Sequence, residues 1–281
     1  MTRKTDHDLN TFHAHLDYLK LAFIREHFAE LIQDAAANGT DYLALIMRLV
    51  EGEADLRKDR SVERRIRLAR FPVRKTIDQF DFTWPRKINR LQVQNLFRLQ
   101  FLEEAANVVL IGGVGLGKSH LAIALGYTAC QHGHSVRFAS AIDIVNTLAA
   151  AQTTGRLKIE LNRYVRPRVL IVDELGYLPI DKTGADLLFQ IISQRYERGS
   201  TIVTTNRVYK KWPEIFNNDS TLTSAVLDRL LHHAETVTIE GKSFRMKDKV
   251  EAGPAPKQSP EPSHCRLHFQ TGWIATKLRR R

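Results

Sequence analysis

Two short stretches of this chain hold residues whose types and spacing can do chemistry. The first is Gly112-Gly113-Val114-Gly115-Leu116-Gly117-Lys118-Ser119, which fits G-x-x-x-x-G-K-[ST] at every position. A loop of this composition wraps its backbone N–H groups around a phosphate chain, and its glycines permit positive φ and close approach. Lys118 is then placed to reach the β- and γ-phosphates, and the Ser119 hydroxyl to ligate Mg²⁺. His120 follows directly and is counted with the phosphate-binding residues. The second stretch is "VLIVDE", which ends an apolar run in Asp173 and Glu174. Asp173 is expected to hold Mg²⁺ through water. Glu174 is placed to polarise an attacking water, so the pair favours hydrolysis of ATP over phosphoryl transfer to a bound acceptor.

Three further residues are candidates by position. Asn206 ends "TIVTTN" and could orient a water near the γ-phosphate. Arg229, in "AVLDRLLHHA", sits on a helix whose Leu227, Leu230 and Leu231 are expected inside. It could neutralise γ-phosphate charge in its own or a neighbouring subunit, or pair with Asp228 or Glu235. Arg245, in "GKSFR", is a second candidate. Cys130, His132 and His134 alternate in "CQHGH" but lack the support of further Cys or carboxylate ligands, so no metal site is read there. His232-His233 reads as a polar helix surface.

The elements that must position these groups are legible as an alternation. Strand-like runs fall at 107–112, 135–140, 168–174, 200–206 and 235–240, with helix-like stretches between them. That pattern predicts an α/β domain with a mostly parallel sheet flanked by helices. The runs at 108–111 and 169–172 are continuously apolar, as strands buried on both faces should be. Before this domain, Leu9, Phe12, Leu16, Leu19 and Phe23 recur at helical spacing and predict one amphipathic helix over 6–32. Asn38-Gly39 should stop the helical region, with Thr40 or Asp41 capping the next segment. Residues 41–70 predict one or two more helices before Pro72. The chain is therefore divided into a helical N-terminal domain (1–72), an ATPase domain (73–250) and a basic, proline-containing tail (251–281) expected to be disordered.

Composition narrows the partners. The 281 residues carry a formal net charge of +11, which points to a polyanion, nucleic acid before membrane. Between residues 55 and 75 nine Lys/Arg face three Asp/Glu, so +6 of the +11 falls in this segment. Arg57, Lys58, Arg60, Arg64, Arg65 and Arg67 are the candidate DNA contacts. Two cysteines in the whole chain offer no disulfide framework and fit a reducing cytosol. The N-terminal "MTRKTDHDLN" lacks the apolar stretch of a signal peptide, and no run is long enough to span a membrane.

The same residues carry a resemblance. "GGVGLGKSHLAIAL", "VLIVDELGYLP", "TIVTTN" and "DRLLHHA" together resemble the AAA+ ATPases of the initiator and helicase-loader clade. Within it the chain is most similar to the IstB-type helper ATPases of bacterial insertion sequences, over about residues 9–248. "KTIDQFDF", "LGYLPI" and "GKSFR" also look like that family, and Arg70-Phe71-Pro72 stands where it usually has Gly-Phe-Pro. The resemblance implies a P-loop sheet of the ASCE type, with an extra strand between the phosphate-loop and Asp173 strands. It implies ATP and Mg²⁺ as cofactors, ATP-dependent homo-oligomers with nucleotide between subunits, and Arg229 acting in trans. It implies duplex DNA and an IstA-type transposase as partners, in a bacterial cytoplasm. The segment before the 168–174 run, with Arg156, Lys158 and Arg163, resembles the clade's helical insertion, which faces DNA.

Other functions remain compatible with these residues. A DnaC-like helicase loader shares the ATPase core but would grip a protein with its N-terminal domain. A non-hydrolytic, ATP-gated DNA scaffold would have no need of Glu174. A nucleoside kinase would leave the basic N-terminal region without a role.

Overall fold

The computed structural model describes residues 2–244, so Arg245 and the segment 251–281 lie outside the described residues. Five strands form one parallel sheet: β1 (Asn107–Gly112), β2 (Val136–Ser140), β3 (Val169–Leu175), β4 (Ser200–Thr205) and β5 (Ala234–Ile239). Each lies within one residue of its expected bounds at either end. Their order is β2-β3-β4-β1-β5, so β4 is the strand inserted between the phosphate-loop strand and the Asp173 strand.

The helices are α1 (Thr2–Tyr18), α2 (Ala22–Asn38), α3 (Tyr42–Ala69), α4 (Arg90–Leu96), α5 (Gln100–Glu103), α6 (Lys118–Gln131), α7 (Ala141–Thr153), α8 (Leu157–Val165), α9 (Lys182–Arg195) and α10 (Ser220–Leu231). Strand side chains alternate between faces, and this divides the core in two. Val108, Leu110 and Ile171 pack with α4, α5, α6 and the end of α3. Val109, Ile111, Leu170 and Val172 pack with α7 to α10 on the other face. Both faces being covered explains why the central strands read as unbroken apolar runs.

One buried cation ties the layers together. The Arg195 guanidinium donates to the carbonyls of Tyr164, Val165, Pro167, Arg168 and Ser200, joining the α8–β3 connection to the start of β4. Burial pushes its pKa down to about 10, so it stays charged at neutral pH.

The N-terminal region corrects the sequence reading. The single helix expected over 6–32 is two helices, broken at Leu19-Lys20-Leu21, where Lys20 adopts φ 56°. Apolar spacing continues across the joint, so periodicity alone could not find it. The joint is held from α3. Buried Glu53 accepts from the Phe23 backbone N–H at 2.8 Å, capping the start of α2. Arg57 donates to the Leu19 and Lys20 carbonyls, each at 3.2 Å, capping the end of α1. The two side chains bond each other at 3.1 Å. Further on, Gly39 ends α2 at φ 65°, and the Asp41 side chain accepts from the Ala44 N–H at 3.0 Å to start α3. The 28 residues of α3 form one unbroken helix, about 42 Å long. Its last turn places Ile66 and Ala69 in the core of the sheet domain.

Candidate active site

After β1 the chain turns through residues 113–117 before α6 begins at Lys118. Gly115 and Gly117 take φ of 74° and 85°. A Cβ at Gly117 would meet Phe80 at 2.5 Å, and one at Gly115 would run into Ser243. Both positions therefore need glycine for backbone and for space. Lys118 Nζ donates to the Gly113 carbonyl at 2.6 Å, folding its ammonium back across the loop. The first N–H groups of α6 point into the same space without intrahelical partners.

A cavity of about 390 Å³ opens here. Val114 to His120 line it from the loop and α6, Glu174 and Tyr177 from the end of β3, and Thr204, Thr205 and Asn206 from the end of β4. All lie at the carboxyl ends of the parallel strands, where open α/β sheets bind ligands.

Polar contacts order the strand tips. Ser119 Oγ donates to Asp173 Oδ1 at 2.8 Å, and Thr204 Oγ1 donates to the same oxygen at 2.6 Å. The Glu174 backbone N–H donates to Thr204 Oγ1 at 2.9 Å. The pairing of β3 with β4 shifts register between Val172 and Leu175, and Glu174 takes φ 60°. Such an irregularity re-aims one side chain. Asp173 stays buried, while Glu174 is the one exposed residue of β3 and faces the cavity. A non-glycine residue held at this φ costs about 1–3 kcal/mol. The two hard oxygens of Ser119 and Asp173, side by side, are the donor chemistry a magnesium ion takes.

Sequence reasoning missed the other wall. Lys75, Gln79, Phe80, Asp81, Trp84 and Pro85 line the cavity from the segment that follows α3, joined by Phe244. Phe80 packs edge-on against His120 at 5.5 Å, and Trp84 against Phe244 at 5.8 Å. His120 Nε2 donates to the Thr76 carbonyl at 2.9 Å. Burial lowers its pKa, the Thr76 bond opposes that, and the Lys75 charge adds to the lowering. The signal available was "KTIDQFDF", whose aromatics have no helical or strand period. Thr204 was also missed, because a threonine inside a strand carries no chemical signature.

Gly112 and Gly113 begin the loop but do not line the cavity. Arg229 is not brought to it either. Its guanidinium lies 5.0 Å from the Phe189 ring centre and donates to the Ala225 carbonyl at 3.0 Å. The expected pairing with Asp228 or Glu235 is not among the ion pairs of the described residues.

The candidate DNA contacts divide. Arg57 is engaged at the α1–α2 joint. Arg65 is half-buried beside the end of α6, close enough for its charge to act on Cys130 and His134. Arg60, Arg64 and Arg67 instead line a hollow of about 480 Å³ with Glu63, Arg70 and Arg74. Lys58, Arg156 and Lys158 are exposed, and Arg163 pairs with Glu160 at 2.7 Å. Cys130 is buried, which pushes its thiol up to about 11, and His132 donates from Nδ1 to the Thr128 carbonyl at 2.9 Å. No helix among the described residues is long and apolar enough to cross a membrane.

Comparison with known proteins places this geometry among relatives. The family described as "IstB-like ATP binding protein" matches residues 14–252. The "Insertion sequence IS21 putative ATP-binding protein" of Pseudomonas aeruginosa is 41% identical over 238 residues, 85% of this chain and 89% of the relative. The "Insertion sequence IS232 putative ATP-binding protein" of Bacillus thuringiensis subsp. berliner is 39% identical over 233 residues, 83% of this chain and 93% of the relative. The crystal structure of a DNA replication initiation factor superposes with a TM-score of 0.51 at 21% identity, over 65% of this chain and 54% of that one. At that identity the likeness concerns the fold alone, a parallel sheet flanked by helices with the glycine loop after β1.

Proposed function

The chain belongs to the IstB-like ATP binding proteins, and from that premise we propose that it is an ATP-hydrolysing, DNA-binding helper of transposition. The observation that carries this reading is the ordered line from Ser119 through Asp173 and Thr204 to Glu174 beside the glycine loop. The loop N–H groups and Lys118 hold the β- and γ-phosphates. Ser119 and Asp173 would hold Mg²⁺, which neutralises phosphate charge and fixes the orientation of its oxygens. The Glu174 carboxylate takes a proton from the attacking water, and Asn206 orients that water. The aromatic wall of Phe80 and Trp84 with His120 accepts the base.

Hydrolysis is favoured over a non-hydrolytic scaffold because the register shift turns the Glu174 carboxylate out of the buried strand and toward the cavity. Arg229, on α10, does not line its own cavity, which fits a role toward a neighbouring subunit in an ATP-dependent homo-oligomer. The insertion-sequence relatives support an IstA-type transposase as the partner. Coupling to DNA has a short route. Arg74 lines the arginine hollow and the next residue, Lys75, lines the nucleotide cavity.

Steady-state ATP hydrolysis with and without duplex DNA, at two salt concentrations, tests the reading. Stimulation by duplex that fades with salt is expected. Turnover indifferent to DNA would move the function to a loader that awaits a protein partner.

A further inference from the structure

Given the DNA-binding reading proposed above, we infer that the arginine hollow on α3, the edge strand β2 and helix α8 form one continuous track for a nucleic-acid phosphate backbone. The two basic segments lie far apart in sequence, at 57–67 and 156–163. The fold brings both to the β2 edge of the sheet, α3 packing on this terminal strand from one face and α8 reaching it from the other through Tyr164 beside Arg137.

The hollow is built of like charges. Arg60, Arg64, Arg67, Arg70 and Arg74 surround it with one carboxylate, Glu63, which already bonds Arg74 at 2.9 Å. Arg60, Arg64 and Arg67 recur at i, i+4 and i+7, a single stripe spanning about 10 Å, or roughly three base-pair steps. Cations held this close repel one another until an anion lies among them.

Arg137 on β2 is the link, and nothing in the sequence singled it out. Its buried Nε has no hydrogen-bond partner among the described residues, and its guanidinium lies 5.8 Å from the Tyr164 ring centre on α8. Burial lowers its pKa and the Arg70 charge adds to that, while Tyr164 opposes it by charge and hydrogen bond and Arg163 lowers it less. Arg137 thus stands on β2 between the end of α3, where Phe71 packs toward the neighbouring Phe138, and Tyr164 of α8. Phosphate is the partner this chemistry fits, since guanidinium groups bind phosphate oxygens in pairs. Bases are not, because the aromatic ring at the hollow, Phe71, is half-buried and packs toward Phe138 at 6.4 Å.

The test uses the full chain and a fluorescent duplex across a salt series. The variant Arg64→Gln/Arg67→Gln/Arg70→Gln is compared with the charge-matched Lys182→Gln/Lys210→Gln/Lys211→Gln. The first should weaken binding more than about tenfold and reduce the slope of log K against log salt by about 3, at close to 0.9 for each phosphate no longer neutralised. The second should stay within about twofold of wild type. Arg137→Gln should lower the slope by about 1, and Arg137→Lys should restore it. Thermal unfolding checks that each variant is folded. If Arg137→Gln is not, Lys158→Gln on α8 should show the same smaller loss. Equal loss in both triple variants would overturn the track while leaving DNA binding intact. Absence of wild-type binding to duplex would overturn the track and the DNA-binding reading together. Loss of binding to anionic lipid vesicles, with duplex binding unchanged, would reassign the surface to a membrane and also overturn it.

Discussion

The nucleotide cavity and the basic helix α3 are both rich in sequence signal, but they carry it differently. At the cavity the chemistry is done by backbone geometry and strand ends. Loop, strand tip and helix start are adjacent in the motif itself, so the residue types fix the placement. On α3 the signal is charge, and charge does not say what stands opposite each side chain. Arg57 and Arg60 lie one turn apart on one side of the helix. Arg57 meets the α1–α2 joint and becomes part of the fold. Arg60 makes no such bond among the described residues and lines both the arginine hollow and a second hollow beside the joint. A motif can therefore be read residue by residue, whereas a charged run has to be sorted by the elements that abut it.

Several substitutions can break or sharpen that comparison. Lys118→Ala should weaken ATP binding by about 100-fold or more, near 2.7 kcal/mol, measured by titration calorimetry. Near-normal affinity would separate the loop from phosphate recognition. Glu53→Ala should destabilise the N-terminal helices by about 1–3 kcal/mol in urea unfolding, since the Phe23 N–H and Arg57 lose their partner. Arg57→Gln should act in the same direction with little effect on the salt slope of DNA binding. A pure DNA-binding defect with full stability would return Arg57 to the track.

Thr204→Val should cost about 1–2 kcal/mol of stability, because the Glu174 N–H and Asp173 lose a shared hydroxyl, and should slow turnover through misplaced Glu174. Unchanged turnover would show that the strand tip holds Glu174 without Thr204. The smallest effect belongs to His120. Burial holds its pKa below the usual 6.5, so the folded protein favours the neutral ring. Its contribution is present above about pH 6.5 and is lost as pH falls toward the lowered value. Thermal midpoints should drop more steeply below pH 6.5 in wild type than in His120→Gln, and parallel curves would remove His120 from that role.

The sheet was legible because continuous apolar runs between glycine-rich turns have few other uses, and every strand appeared where expected. Asp173 and Glu174 were legible as a pair, but the register shift that exposes one and buries the other is a property of how β3 meets β4. Phe80, Trp84 and Thr204 were invisible because their roles come from packing and hydrogen bonds across the fold. The same holds for Arg137, an isolated arginine on an edge strand. The α1–α2 joint was hidden because an apolar stripe can continue in phase through a break that a distant carboxylate and guanidinium hold in place.

The central claim is that Glu174 activates water in a site whose nucleotide-holding groups are separate from it. Measuring ATP affinity and single-turnover hydrolysis together, in wild type and Glu174→Gln, tests it most directly. Affinity within a few-fold of wild type with hydrolysis slowed by about 10²–10⁴ is the expected result. Wild-type hydrolysis in the variant would contradict the account and leave the strained placement of Glu174 to be explained by something other than catalysis.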